Sequence, residues 1–87
     1  MDRSAVVRLH PHAAGRPPAR GASEEEVVRA VLEGETFPAK YGRVGFRRNY
    51  TFNSTWRGKL YATKQVEAYA VFEDEAWLVI TVVTRFY

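Results

Sequence analysis

Both histidines of the chain and two of its arginines fall in one run, His10-Pro11-His12-Ala13-Ala14-Gly15-Arg16-Pro17-Pro18-Ala19-Arg20-Gly21. An imidazole with an ordinary pKa of about 6.5 gives or takes a proton near neutrality, and guanidinium groups stabilise charge developing on a phosphate. His12 beside Arg16 and Arg20 is therefore a set suited to acid–base work on a phosphodiester. The bland alternative is that a histidine following a strand caps or packs, and His10 reads that way. A metal site is disfavoured, because a proline separates the histidines and no acid stands near them.

A second group of cations lies further along. Lys40, Arg43, Arg47, Arg48, Arg57, Lys59 and Lys64 follow one another with no Asp or Glu between Lys40 and Lys64, and Tyr41, Phe46, Tyr50, Phe52, Trp56 and Tyr61 are interleaved with them. Cations and rings in one acid-free segment have the composition of a surface that meets phosphate and stacks bases. The competing reading is a solvated sheet face whose aromatics belong to the core.

The elements that must position these groups can be read in order. Ala5 to Leu9 is short and β-rich and stops before Pro11, which makes it a first strand. His12 to Arg16 has room for one helical turn, and Gly15 with Pro17-Pro18 stops it, so Arg16 and Arg20 flank a stiff extended bend. Ser23 with Glu26 forms a capping box, and Glu24 and Glu25 complement the helix dipole. Val27, Val28, Val31 and Leu32 make the apolar stripe of the main helix, Glu25, Arg29 and Glu33 its solvated side, and Gly34 its end. Thr36 to Gly45 reads as a loop or short edge strand. From Phe46 onward the pattern is β: Phe46, Tyr50 and Phe52 alternate with polar residues, Ser54 to Gly58 turns, and Leu60, Ala62, Val66, Ala68, Ala70 and Phe72 share a face. After the turn at Glu73-Asp74-Glu75, Trp77 to Phe86 is apolar on both faces, as in a central strand or an oligomer contact.

This pattern places two charges where charge is disfavoured. Matching the apolar faces of the first hairpin sets Phe52 opposite Leu60, Tyr50 opposite Ala62, Phe46 opposite Val66, and Arg48 opposite Lys64 on the helix-facing side. In the second hairpin a two- or four-residue loop pairs Phe72 with Trp77 and Lys64 with Arg85, and a three-residue loop sets Thr84 in Arg85's place opposite Lys64. Two accounts stay open: the cations pair with glutamates of the helix or snorkel past the sheet end, or they line a site held apart by an anionic ligand such as phosphate.

The run from His12-Ala13 through Arg16 to Arg20-Gly21-Ala22-Ser23, with the terminal Val79-Ile80-Thr81-Val82, resembles an uncharacterised family of small bacterial domains. That family has a His-Ala-x-x-Arg-x-x-x-Arg-Gly-Ile-Ser signature. It is similar in architecture to RelE, ParE and BrnT-like toxins. The resemblance implies an α+β fold with an N-terminal strand and helices on a small antiparallel sheet, and functional roles for His12, Arg16 and Arg20. It also implies, by analogy with RelE-like ribonucleases, an RNA-binding sheet face including Arg48, Lys64 and Arg85.

At 87 residues the chain has the size of a single domain, 1–87, and its net charge of +3 is modest. It has no cysteine, which excludes disulfides and thiolate chemistry and fits a reducing cytoplasm. No apolar run reaches the ~18 residues of a membrane span, so no membrane association is expected. The expectation is an RNA-binding domain of RelE-like arrangement. Cleavage would use the RNA 2′-hydroxyl with His12 as proton-transfer group and Arg16, Arg20 and Lys64 on the phosphate, without metal or cofactor. Arg43, Arg47, Arg48, Arg57, Lys59 and Arg85 would contact RNA. The alternative is a non-catalytic interaction domain, monomeric or homodimeric, docking a protein through an outer patch of Tyr69, Val71, Leu78, Ile80 and Val82. An acidic protein partner such as an antitoxin would use the same cations as RNA.

Overall fold

The computed structural model describes residues 6–14 and 21–87, excepting the side chains of His12 and Ala14. The elements run β1 (Val6–Leu9), α1 (Pro11–Ala14), α2 (Glu24–Glu33), β2 (Glu35–Pro38), β3 (Val44–Trp56), β4 (Lys59–Glu73) and β5 (Ala76–Phe86). The described strands form one five-stranded sheet in the order β1-β5-β4-β3-β2. All neighbours are antiparallel except β1, which lies parallel to β5. This is a mixed α/β domain with one main helix, as the sequence pattern suggests, dominated by its sheet. The long strands β3 and β4 set the long axis of a 41 × 23 × 22 Å molecule.

Helix α2 starts where the capping box places it: the Ser23 hydroxyl accepts from the Glu26 amide, and Glu26 accepts from the Ser23 amide. It buries Val27, Ala30 and Val31 against Phe46, Val66, Ala68, Val79 and Val82. Phe46 and Trp77 meet edge to face at 4.9 Å within this core. On the solvated side Arg29 bridges Glu25 and Glu33 at i,i+4 spacing. Gly34 ends the helix in extended backbone rather than in a left-handed turn. Its need for glycine is space, because a Cβ there would lie 2.4 Å from the Ala30 carbonyl oxygen and 2.5 Å from that of Arg47.

The position of the first turn and two bulges correct the register read from alternation. Phe46 opposes Ala68 rather than Val66, Arg48 opposes Val66 rather than Lys64, and Tyr50 opposes Lys64. The strand does not turn at Ser54 but bulges between Thr51 and Ser54, with Asn53 at φ 43°, and runs on to Trp56. The turn itself is Arg57-Gly58, both at positive φ, matching the right-handed twist of a two-residue hairpin. Asp74-Glu75 closes the next hairpin in the same way, and Phe72 opposes Trp77. A second bulge between Tyr69 and Ala70 then shifts the pairing, so Lys64 meets Phe86, while Arg85 meets Gln65 and faces away from α2. The same bulge turns Val82 into the core at 2% exposure, removing it from the outer patch. Near the strand end the Ala62 and Thr63 amides both reach the Tyr87 carbonyl. Leu60 is 70% exposed there, while Tyr61 joins a ring cluster. Each insertion moves side chains from one face to the other, because side-chain direction has a period of two residues.

Candidate functional site

The two cations on the helix-facing side are met by glutamates of α2. Lys64, at 8% exposure, places its ammonium 2.8 Å from both carboxylate oxygens of Glu26 and 3.1 Å from the Gly21 carbonyl. Glu26 thus caps its own helix and neutralises a lysine of β4 with one carboxylate, while the Tyr50 hydroxyl donates to its backbone oxygen at 2.8 Å. Burial alone would raise the Glu26 pKa. The Lys64 ammonium and the Ser23 amide outweigh it and bring the group below its ordinary 4.5. Arg48 lies 3.6 Å from Glu33, at ion-pair distance but beyond a hydrogen bond, and its guanidinium covers the Tyr50 ring. The arrangement read from sequence, with Arg48, Lys64 and Arg85 converging on one face, does not form. Arg48 and Lys64 are diagonal to one another and paired internally, and Arg85 is on the opposite face.

Arg16 and Arg20 lie outside the described residues, as does the side chain of His12, whose backbone belongs to α1. Arg43 follows the Tyr41-Gly42 turn and lies 5.9 Å from the Tyr41 ring centre. Arg57 and Lys59 occupy the tip of the β3–β4 hairpin, over Trp56 and Tyr61, with no carboxylate partner among the described residues. Beneath them Trp56 stacks on Phe86 at 5.1 Å and 14°, and Phe52 and Tyr61 tilt against the same ring. Gly21 lies so close to this cluster that a Cβ would meet Phe86 at 2.8 Å and Trp56 at 3.2 Å.

The sheet face away from α2 carries a polar network that sequence reading did not assemble. Glu67 sits between Val66 and Ala68, both core residues, so alternation points it to that open face. Its side chain is nevertheless only 7% exposed. It accepts from the Tyr69 hydroxyl at 3.2 Å and from Arg85 Nε at 3.5 Å. Arg47 is its direct cross-strand neighbour but pairs with Glu35, at 2.9 and 3.0 Å, and covers the Phe37 ring. Phe37 in turn meets Tyr69 edge to face at 5.8 Å. Burial raises the Tyr69 pKa, with the Glu67 carboxylate adding to the rise and Arg85 and Arg47 pulling against it. Toward the hairpin tip the network continues through Gln65, whose amide donates to Asn49, and Tyr87. The only sequence signal for Glu67 was a single acid on the polar alternation of β4; its burial arises from side chains of neighbouring strands.

A cavity of about 380 Å³ opens beside the end of α2, lined by Glu33, Glu35, Arg47, Arg48, Asn49 and Gln65 among others. Among the described residues no group of three His, Asp or Glu could hold a metal ion, and no helix is long and apolar enough to cross a membrane. The fold and its open face define a small sheet-dominated α+β domain with a polar, partly cationic surface. No family model, curated protein or solved structure matches the chain.

Proposed function

We propose that the chain is an RNA-binding domain whose contact surface follows the open sheet face from Arg47 and Arg85 to the hairpin tip at Arg57 and Lys59. The observation that carries this reading is the acid-free distal half of the β3–β4 hairpin. From Arg48 to Lys64 there is no Asp or Glu, and the tip cations have no carboxylate partner among the described residues. Asn49, Thr51, Thr63, Gln65 and Tyr87 line the way between the two ends with hydrogen-bonding groups. A strand of phosphates could thus be followed by cations and polar side chains over several nucleotides, and the half-buried Trp56 and Tyr61 at the tip offer ring surface for stacking. The RelE-like arrangement belongs to this proposal and is supported by the N-terminal signature and the strand–helix–hairpin order, with a cytoplasmic RNA as ligand.

The test is binding of labelled single-stranded RNA, with single-stranded DNA as comparator, over a salt series. The double variant Arg57→Ala/Lys59→Ala is expected to bind more weakly at every salt concentration and with a flatter salt dependence. Equal binding by wild type and variant would refute the placement, and no binding at low salt would refute the function. The half-exposed strip of Phe37, Tyr69, Val71, Leu78 and Ile80 favours a second reading, a non-catalytic protein-interaction domain, which the latter outcome would leave in place.

A further inference from the structure

We infer that the turn between β2 and β3, with the open sheet face beside it, forms a binding site for a small aromatic carboxylate. Phe37 and Tyr69 seat its ring, Tyr41 flanks it, and Lys40 and Arg43 take its charge. The site lies at the opposite end of β3 from the hairpin tip, and the inference goes beyond the RNA-binding reading without depending on it. Its starting point is a cavity of about 330 Å³, lined by Phe37, Lys40, Tyr41, Arg43 and Tyr69 among others, with no acid in its wall. That volume falls at the lower end of the range of small-molecule sites, about 300–1,000 Å³. It has room for a bicyclic ring and its head group.

The floor is built by the strand register. Phe37 opposes Gly45, and Gly45 opposes Tyr69, so the three residues form one row across three strands. The missing side chain of Gly45 gives the Phe37 ring its place, since a Cβ there would lie 2.3 Å from that ring. Arg47 at 4.5 Å and the edge contact with Tyr69 hold the Phe37 ring, and the Tyr69 hydroxyl is tied to Glu67 at 3.2 Å. Two fixed, half-buried rings thus line the cavity. They offer apolar surface and few free hydrogen-bonding groups, which suits a hydrocarbon ring and leaves the polar edge of a nucleobase unmatched.

The rim decides the charge. The ion pairs among the described residues are made by Arg29, Arg47, Arg48, Lys64 and Arg85, so neither Lys40 nor Arg43 has a described carboxylate partner. A guanidinium fork fits the two oxygens of a carboxylate, and an ammonium adds a point charge. Between these cations Tyr41 stands at φ 63°, in a two-residue turn whose ordinary first residue is Asn or Asp. Its ring is 86% exposed, outside the core, with the Arg43 guanidinium 5.9 Å from its centre. A bulky side chain is therefore held in a costly backbone conformation at the edge of the cavity.

Titration of the full chain with 2-naphthoate, followed by backbone amide NMR shifts, tests the site. The comparators are 2-naphthalenemethanol as the neutral ring, acetate as the anion without a ring, and adenosine monophosphate as the nucleotide. Naphthoate is expected to saturate, to shift residues 37–45 and Tyr69, and to bind about tenfold or more tightly than each comparator. Lys40→Gln/Arg43→Gln is expected to erase the preference for naphthoate over the alcohol. Tyr41→Asn supplies an Asn-Gly turn, so its urea midpoint is expected to equal or exceed that of wild type while naphthoate binds about 2–10-fold more weakly. Equal affinity of wild type for naphthoate and the alcohol overturns the site, as do tighter binding of the nucleotide, shifts centred on Trp56 and Phe86, or no saturation. Each of these failures leaves the RNA-binding reading to its own salt-series test.

Discussion

The pair between Glu26 and Lys64 is the sharpest test of how this fold handles a cation on its apolar face. Replacing Glu26 with Leu leaves the Lys64 ammonium at 8% exposure with the Gly21 carbonyl and the face of the Phe52 ring as its described neighbours, neither of them an anion, and it leaves the Ser23 amide without its acceptor. Breaking a buried pair from one side costs about 3–5 kcal/mol. The Glu26 side chain is 24% exposed, which allows some water to the lysine and sets the expectation near the lower end, about 3 kcal/mol. For a domain of this size that corresponds to a fall in Tm of about 12–24 °C.

Lys64→Met is expected to cost less, about 1–2 kcal/mol, because Glu26 keeps its Ser23 contact and reaches solvent. The double variant leaves no buried charge unpaired, so it should be more stable than the sum of the single losses implies, by about 1–3 kcal/mol of coupling. Urea unfolding followed by the fluorescence of Trp56 and Trp77 measures all of these. Equal losses in the two single variants that simply add in the double would refute the reasoning, since they would show that neither group answers the other's charge.

The same pair sets a pH dependence. Glu26 titrates lower folded than unfolded, so the unfolded chain binds more protons in acid, and the contribution of this group to stability is present above about pH 4.5 and is lost as pH falls below it. Lys64→Met is expected to flatten that acid limb of a urea-midpoint profile; an unchanged limb would assign acid sensitivity elsewhere. At the hairpin tip, Arg57→Ala/Lys59→Ala is expected to reduce the salt slope of RNA binding by about 1.4, two charges at roughly 0.7 each on a single strand. A slope equal to wild type would exclude both residues from phosphate contact. Gly45→Ala would set a Cβ 2.3 Å from the Phe37 ring, and a loss of about 1–3 kcal/mol in urea unfolding is expected, partly recovered by adding Phe37→Leu. No loss would mean that Phe37 is free to leave the open face.

Local chemistry made part of this molecule legible in its sequence. The capping box at Ser23 and Glu26 located α2, because both halves of that motif lie within one turn of chain. The i,i+4 spacing of Glu25, Arg29 and Glu33 described its solvated side for the same reason. Alternation revealed that the last part of the chain is sheet and that Lys64 belongs to the helix-facing side. It failed on what depends on register. The bulges at Thr51/Ser54 and Tyr69/Ala70 have no local signature strong enough to override a period of two residues, yet each changes which side chains meet. The tighter turn at Arg57-Gly58 together with the first bulge is why Arg48 has Val66 rather than Lys64 opposite, and the second bulge is why Arg85 went to the far face and Val82 entered the core.

The candidate site divides along the same line. Its cations were visible as an acid-free segment, a property of composition alone. Which of them remain available was decided by tertiary structure, because Lys64 and Arg48 find glutamates across the helix–sheet interface while Arg57 and Lys59 stay at a tip with no described acid in reach. Glu67 is the clearest case: residue type and alternation gave its face, but only the packing of Tyr69 and Arg85 around it, and the engagement of Arg47 with Glu35, made it a shielded carboxylate with hydrogen-bonding capacity left over.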